Sequence, residues 1–290
     1  MNALIEVDGQ RLRIDLTQGH DLSLGPDRLG EGPRYFGVAP AGFTAWRTPE
    51  FIGAVDQGGS CNCNVLTLVP HCHGTHTECV GHLTREPLDA FALLPTGLLP
   101  ALLLSVTAIL AHECDEHTDP PAQHNDLLIT ARALAQASVV ARRGALPMPA
   151  PRALVLRTRP NNLSKRQRNY AIYPAPFFTR AAAQWLLDQR VEHLVVDLPS
   201  IDRAHDEGRM SAHRLFFGLA AGSHALREAT RAQATLTELA FIDDGIADGP
   251  GLLLLQAAHL PGDAVPSRPL FYALLPEPLP PTPLLAADAP

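Results

Sequence analysis

Residues 178–197 read FTRAAAQWLLDQRVEHLVVD. Apolar residues recur at helical spacing from Phe178 to Leu187, and Thr179 stands where a hydroxyl can cap the first turn. The run Leu194–Asp197 follows at once. It is short, continuous and apolar, the pattern of a strand covered on both faces. A helix feeding a buried strand is the working unit of an α/β fold. Working outward, strand-like runs occur at Val65–Val69, Ala101–Leu110 and Ala153–Thr158, and again at Leu236–Ile242, Leu252–Gln256 and Leu270–Leu274. Leu4–Val7 and Leu12–Leu16 flank Asp8-Gly9 and predict a hairpin. Residues 17–60 are rich in Gly and Pro and predict a long irregular excursion, whereas 211–233, rich in Ala, Leu and Arg, predict helix. Strands dominate the first half and alternate with helices in the second. The expected fold is a single mixed α/β domain over residues 1–275, with a central or barrel-like sheet flanked by helices. A Pro-rich tail over 276–290 is expected to be extended and outside the core.

Hydrophobic residues make up 46% and charged residues 18%, enough apolar material for a sizeable core. A net charge of −7 without a long Lys/Arg block argues against a nucleic-acid partner. The densest basic stretch, Arg157 to Arg168, reads as a solvated loop. The N-terminus lacks the basic start and apolar run of an export signal. The longest apolar stretch, Leu98–Leu110, is broken by Pro100, Ser105 and Thr107 and falls short of the roughly 20 residues a bilayer span needs. A soluble, cytoplasmic protein with no membrane partner is expected. Five cysteines, an odd number, argue against a disulfide framework. Cys61, Cys63 and Cys114 read as small buried hydrophobes.

The chemistry concentrates in residues 71–82, HCHGTHTECVGH, where four of the thirteen histidines lie within twelve residues. Imidazole, thiolate and carboxylate are the side chains that bind borderline metals such as zinc. Gly74 lets the backbone bend without a Cβ penalty. His76 and Glu78 are two apart and share a face in extended backbone. His82 stands further along, and imidazole is the side chain best suited to proton transfer near neutral pH.

The segment resembles the His-x-Gly-Thr-His-x-Asp-x-Pro-x-His signature of the bacterial kynurenine formamidase family, also called the putative cyclase family. Alignment on Gly74-Thr75-His76 sets Glu78 at the aspartate and His82 at the last histidine. Asp21-Leu22-Ser23, Leu156-Arg157-Thr158 and Asp197-Leu198-Pro199-Ser200-Ile201-Asp202 resemble further family segments, so the likeness runs over roughly residues 20–275. It implies a mixed α/β domain of the swivelling β/β/α type, holding one or two divalent ions, zinc first and manganese as the alternative. It implies metal ligands at Cys72, His76, Glu78, His213 and Glu238, with His82 as proton donor and acceptor. It also implies a homodimer or larger homo-oligomer and a small-molecule substrate touched by an aromatic residue of the excursion, for which Trp46 is the candidate. Three positions depart from the signature: Cys72 for histidine, Glu78 for aspartate and Val80 for proline. His71 or His73 can replace Cys72 through a local bulge, with His73 preferred. Asp197 and Asp202 read as structural supports at a strand end.

The implied reaction is metal-dependent hydrolysis of an amide or related C–N or ester bond, as in an arylformamidase. N-formylkynurenine, a product of tryptophan catabolism, is one candidate; another arylformamide, a cyclic amide or a lactone together are preferred. A metal-dependent cyclase or lyase and a non-catalytic metal-binding homologue are the rival expectations.

Overall fold

The computed structural model describes residues 1–276. Beyond Pro276, the expected Pro-rich tail lies outside the described residues. Seven strands close into a barrel in the order Gly249–Ala257, Leu99–Thr107, Ala153–Arg159, His193–Val196, Thr235–Glu238, His76–Glu78 and Ala264–Ala273, with the last pairing back onto the first. The four strands from 99–107 to 235–238 in this order run parallel; the remaining contacts are antiparallel. His20–Asp21 adds an antiparallel strand to the 264–273 strand.

Strand alternation divides the core in two. Leu99, Ala101, Leu103, Val155, Val195, Leu253 and Phe271 fill the barrel interior. Leu102, Leu104, Leu154, Leu156, Leu194, Val196 and Leu236 point outward and are covered by helices α1 (Ala131–Arg142), α2 (Arg180–Asp188) and α3 (Ser211–Phe217). Phe216 and Phe217 of α3 are fully buried there; truncating either costs about 3–5 kcal/mol in comparable cores. Thr130 and Thr179 cap α1 and α2 by accepting from the amides of Ala133 and Ala182.

Several expectations change. The hairpin forms as read, with Asp8 and Gly9 at positive φ. The strand expected at 65–69 forms at Asn64–Thr67, where it pairs with Gly42–Ala45 in an exposed two-stranded arm. Helix after residue 210 stops at Phe217, where Gly218 takes the left-handed conformation. Cys61 and Cys63 sit exposed on that arm rather than buried. The basic stretch is not a solvated loop, since two of its cations are buried and paired. Arg157 reaches Asp248 at 2.6 Å, and Lys165 reaches Asp197 at 2.8 Å. No helix among the described residues is long and apolar enough to cross a membrane.

His193 is buried at the start of its strand, with Nδ1 2.9 Å from the Thr235 hydroxyl. Burial pushes its pKa down to about 4. Between pH 6.5 and 4, the unfolded chain takes up a proton that the folded chain refuses, so stability falls with falling pH. We expect the His193→Gln variant to lose about 2 kcal/mol less than the parent between pH 7 and pH 4.5, read by urea unfolding at the two pH values. Equal losses in the two proteins would contradict this assignment.

Candidate metal centre

The centre lies on the outer face of the barrel, beneath α3. His76 and Glu78 alternate with Thr77 along one short strand, and Glu238 pairs in register with His76 on the next. The intervening Thr77 faces inward, where its hydroxyl meets those of Thr237 at 2.7 Å and Ser267 at 2.8 Å. This chain of hydroxyls fixes the register and so fixes which side chains face α3. Thr75 ties down the approach. Its hydroxyl accepts from the Leu24 amide at 2.7 Å and donates to the Leu239 carbonyl at 2.6 Å. Gly74 has φ +87°, and a Cβ there would lie 2.2 Å from the Leu24 carbonyl oxygen; the bend needs glycine for both reasons.

His213 arrives from α3. The Asp202 carboxylate accepts from the backbone amides of Ala212 and His213 at 2.8 and 3.0 Å and from His213 Nδ1 at 2.7 Å. It thus caps a helix that has no cap of its own and sets the imidazole. With Nδ1–H donated to Asp202, the Nε2 lone pair of a neutral ring points at carboxylates, 2.9 Å from Glu78 Oε1 and 3.6 Å from Glu238 Oε1. His76 repeats the pattern. Its Nδ1 lies 3.1 Å from the Gly74 carbonyl and its Nε2 3.6 Å from Glu238 Oε2. His76 Nε2 and Glu78 Oε1 are the two buried side-chain polar atoms among the described residues that make no hydrogen bond.

Two buried carboxylates facing two imidazole lone pairs need positive charge between them. In the protein alone, protons supply it. Burial would depress the His213 pKa, but Glu78 and Asp202 outweigh that and hold it well above the usual histidine range. Burial would likewise raise Glu78, but the charge of His213 and the close approach of His213 and His71 hold it well below the carboxylate range. Glu238, less well compensated, is pushed up by burial and by Glu78. A divalent cation fits this donor set. Glu78, His213 and Glu238 form one group whose ligand atoms are mutually close, and His71, His76 and Glu78 form another.

The first position of the motif is filled differently from expectation. Pro70–Cys72 is a single tight turn that carries His71 into the cluster, with Nδ1 2.8 Å from Glu78 Oε2. Cys72 joins no group of candidate ligands, and burial raises its thiol pKa, with Glu238 adding to the shift. His73 is used up structurally: Nδ1 accepts from the Val69 amide at 2.8 Å and Nε2 donates to the Ala39 carbonyl at 2.7 Å. His76, Glu78, His213 and Glu238 come together, whereas Cys72 and His73 do not join them. Trp46 lies half exposed on the arm and lines none of the cavity described below.

His82 stands on the solvent edge, its ring 6.1 Å from that of His213 and 4.1 Å from that of His71. Beside it is Asp263, from the turn before the 264–273 strand. Sequence reading missed this residue, since a lone aspartate after Pro-Gly gives no signal of its own. Hydrogen bonds from His71 and His82 hold its carboxyl far below the usual range. His71, with Asp263 on one side and Glu78 on the other, is raised to about 10 although burial opposes the shift.

Residues 14–203 match the model of the putative cyclase family, and the chain belongs to that family. His213, Glu238 and Asp263 lie beyond the matched stretch and are placed by the fold. A predicted metal-dependent hydrolase from Bacillus stearothermophilus superposes with a TM-score of 0.54 at 15% identity, over 88% of this chain and 98% of that one. Isatin hydrolase A from Labrenzia aggregata, bound to benzyl benzoate, gives 0.56 at 14% identity over 88% and 93%. An isatin hydrolase bound to the product analogue thioisatinate gives 0.55 at 15% identity over 89% and 93%. At these identities the likeness is one of fold. No curated protein matches the chain in sequence.

Elemental analysis of dialysed, zinc-reconstituted variants checks the ligand assignment. We expect His213→Ala and Glu78→Ala to lose the bound ion, and Cys72→Ser to keep it. Asp202→Asn should weaken binding about 10- to 100-fold by releasing the His213 ring. Loss of the ion in Cys72→Ser with retention in His213→Ala would reverse the assignment. Separately, Gly74→Ala should lower stability by about 2 kcal/mol or more, from left-handed strain and the overlap with Leu24; an unchanged Tm would contradict that reading.

Proposed function

We propose that this protein is a metal-dependent hydrolase that opens an amide bond of an aromatic carbonyl compound, a cyclic amide or an aryl formamide. The carrying observation is the convergence of His76, Glu78, His213 and Glu238 next to a half-exposed histidine, His82. A divalent cation, for which the all-nitrogen and oxygen donor set favours zinc, supplies Lewis acidity that polarises a carbonyl and lowers the pKa of water. The chain supplies the remainder. His82 takes the proton of the attacking water and returns it to the departing nitrogen, the two duties of one general acid–base. Glu78 and Glu238, buried and fixed by strand register, balance the charge without reorganising during the reaction.

An aromatic substrate is supported by the cavity that meets the centre at Asp202. It has a volume of about 360 Å3, and Tyr35, Phe36, Tyr170, Pro174 and Phe177 contribute apolar walls, a size and lining typical of small-molecule sites. Burial, together with the charges of Glu238 and Asp202, keeps the Tyr35 hydroxyl protonated, so it can donate to a substrate oxygen. The fold shared with isatin hydrolases agrees with this reading.

The zinc-loaded protein is to be assayed on aryl formamides, isatin-like cyclic amides and aryl lactones in oxygen-18 water. We expect turnover of at least one amide with label in the product carboxylate, and a fall in kcat of about 100-fold or more in His82→Ala. Turnover without label would point instead to cyclisation or elimination. Activity no greater than that of His82→Ala across the panel would reject the proposal.

A further inference from the structure

Asp263 is not part of the short motif, and none of the strand pairings that build the centre requires its carboxylate. Its position is nonetheless tightly set. The Cys79 amide donates to the Asp263 carbonyl at 3.0 Å and the Ala90 amide to the Gly262 carbonyl at 2.8 Å. The Gly262 amide donates to Asp89 Oδ1 at 2.9 Å. The turn is therefore stitched by backbone bonds to the segment that follows the His-rich motif, and the carboxylate is delivered to the solvent edge of the cluster. There a single oxygen, Oδ2, lies 2.8 Å from His71 Nε2 and 3.1 Å from His82 Nδ1.

The Asp263 carboxylate only accepts, so His71 Nε2 and His82 Nδ1 carry hydrogens; without a cation His71 Nδ1, facing Glu78, carries one too, and a bound cation takes its place. In a neutral imidazole the other nitrogen then holds the lone pair. For His71 that nitrogen is Nδ1, which lies 2.8 Å from Glu78 Oε2 at the cation position. For His82 it is Nε2, which has no protein hydrogen-bond partner among the described residues. We propose that Asp263 is a positioning residue that fixes the tautomers of both histidines through one oxygen. It makes His71 Nδ1 a ligand atom and His82 Nε2 the atom that moves the proton. The claim about His82 rests on the hydrolase reading above; the claim about the tautomers does not.

This arrangement links two functions usually set by separate groups. Asp202 orients only a ligand, His213, whereas Asp263 orients a ligand and the proton carrier together. Removing the Asp263 charge frees the His82 ring to turn and to place its hydrogen on Nε2, where it can no longer accept. None of Glu78, His213 and Glu238 is oriented by Asp263, so the cation they hold stays, whereas binding through His71 weakens.

The test uses the full-length zinc-loaded protein with nitrogen-15-labelled histidine. Long-range proton–nitrogen spectra read the hydrogen position on each ring, and His82→Ala and His71→Ala assign the signals. The parent is expected to show Nδ1–H on His82 and Nε2–H on His71. Asp263→Asn is expected to shift His82 toward Nε2–H and to keep the zinc held by Glu78, His213 and Glu238. On any amide the parent turns over, kcat should fall about 100-fold with KM changed less than about threefold, and Asp263→Glu should recover part of the loss. Nε2–H on His82 in the parent overturns the proposal without any variant. An unchanged His82 signal in Asp263→Asn, or complete loss of zinc from that variant, also overturns it. If the parent turns over no amide, the hydrolase reading fails, and the spectra still decide the tautomers.

Discussion

Two buried carboxylates, Glu78 and Glu238, face two histidine nitrogens, and these four groups can share one space only with positive charge between them. Each carboxylate is almost wholly shielded from water, and an uncompensated charge at such depth is far too costly for a folded chain. The surrounding structure serves that constraint. The hydroxyl chain of Thr77, Thr237 and Ser267 sets the strand register, and a slip of one residue would turn His76 and Glu78 into the barrel interior. Thr75 ties the strand's entry to Leu24 and Leu239. Asp202 caps α3 and aims His213. Four segments far apart in sequence are thereby held to one point by bonds that lie outside the centre itself.

The same layout explains why the centre is closed on one side and open on the other. His76, Glu78 and His213 are sealed beneath α3, whereas His71, His82 and Asp263 reach solvent. The candidate ligands Glu78, His213 and Glu238 are thus shielded from water, while His82 and Asp263 have access to it. The cavity and the candidate metal ligands lie on different walls and meet at Asp202, so the cavity walls can vary without loosening the centre.

The sequence made the α/β class legible because the Thr179-capped helix and the Leu194–Asp197 strand agree in propensity, capping and pattern. The centre was half legible. His76 and Glu78 follow from strand alternation, and His213, Glu238 and His82 from the resemblance. The first position stayed open among Cys72, His71 and His73; in the fold the tight turn Pro70–Cys72 rotates adjacent side chains apart and brings His71 beside His76 and Glu78. Asp263 was hidden because its role comes from a turn folded back across the barrel. The strand read at 65–69 forms at 64–67, in an exposed arm, because no second layer covers that apolar run. The helix expected over 211–233 ended early because Gly218 stops it while favourable composition continues beyond.

The central claim is that the motif strand, α3 and the 235–238 strand share one cation. Anomalous diffraction at the zinc edge from metal-loaded crystals tests it most directly. The account predicts a peak about 2.0–2.2 Å from His213 Nε2 and oxygens of Glu78 and Glu238, the distances typical of zinc with imidazole and carboxylate, with any second ion at the His71, His76 and Glu78 group. A fully loaded crystal with no peak between these side chains, or with the ion on Cys72 sulfur, would contradict it.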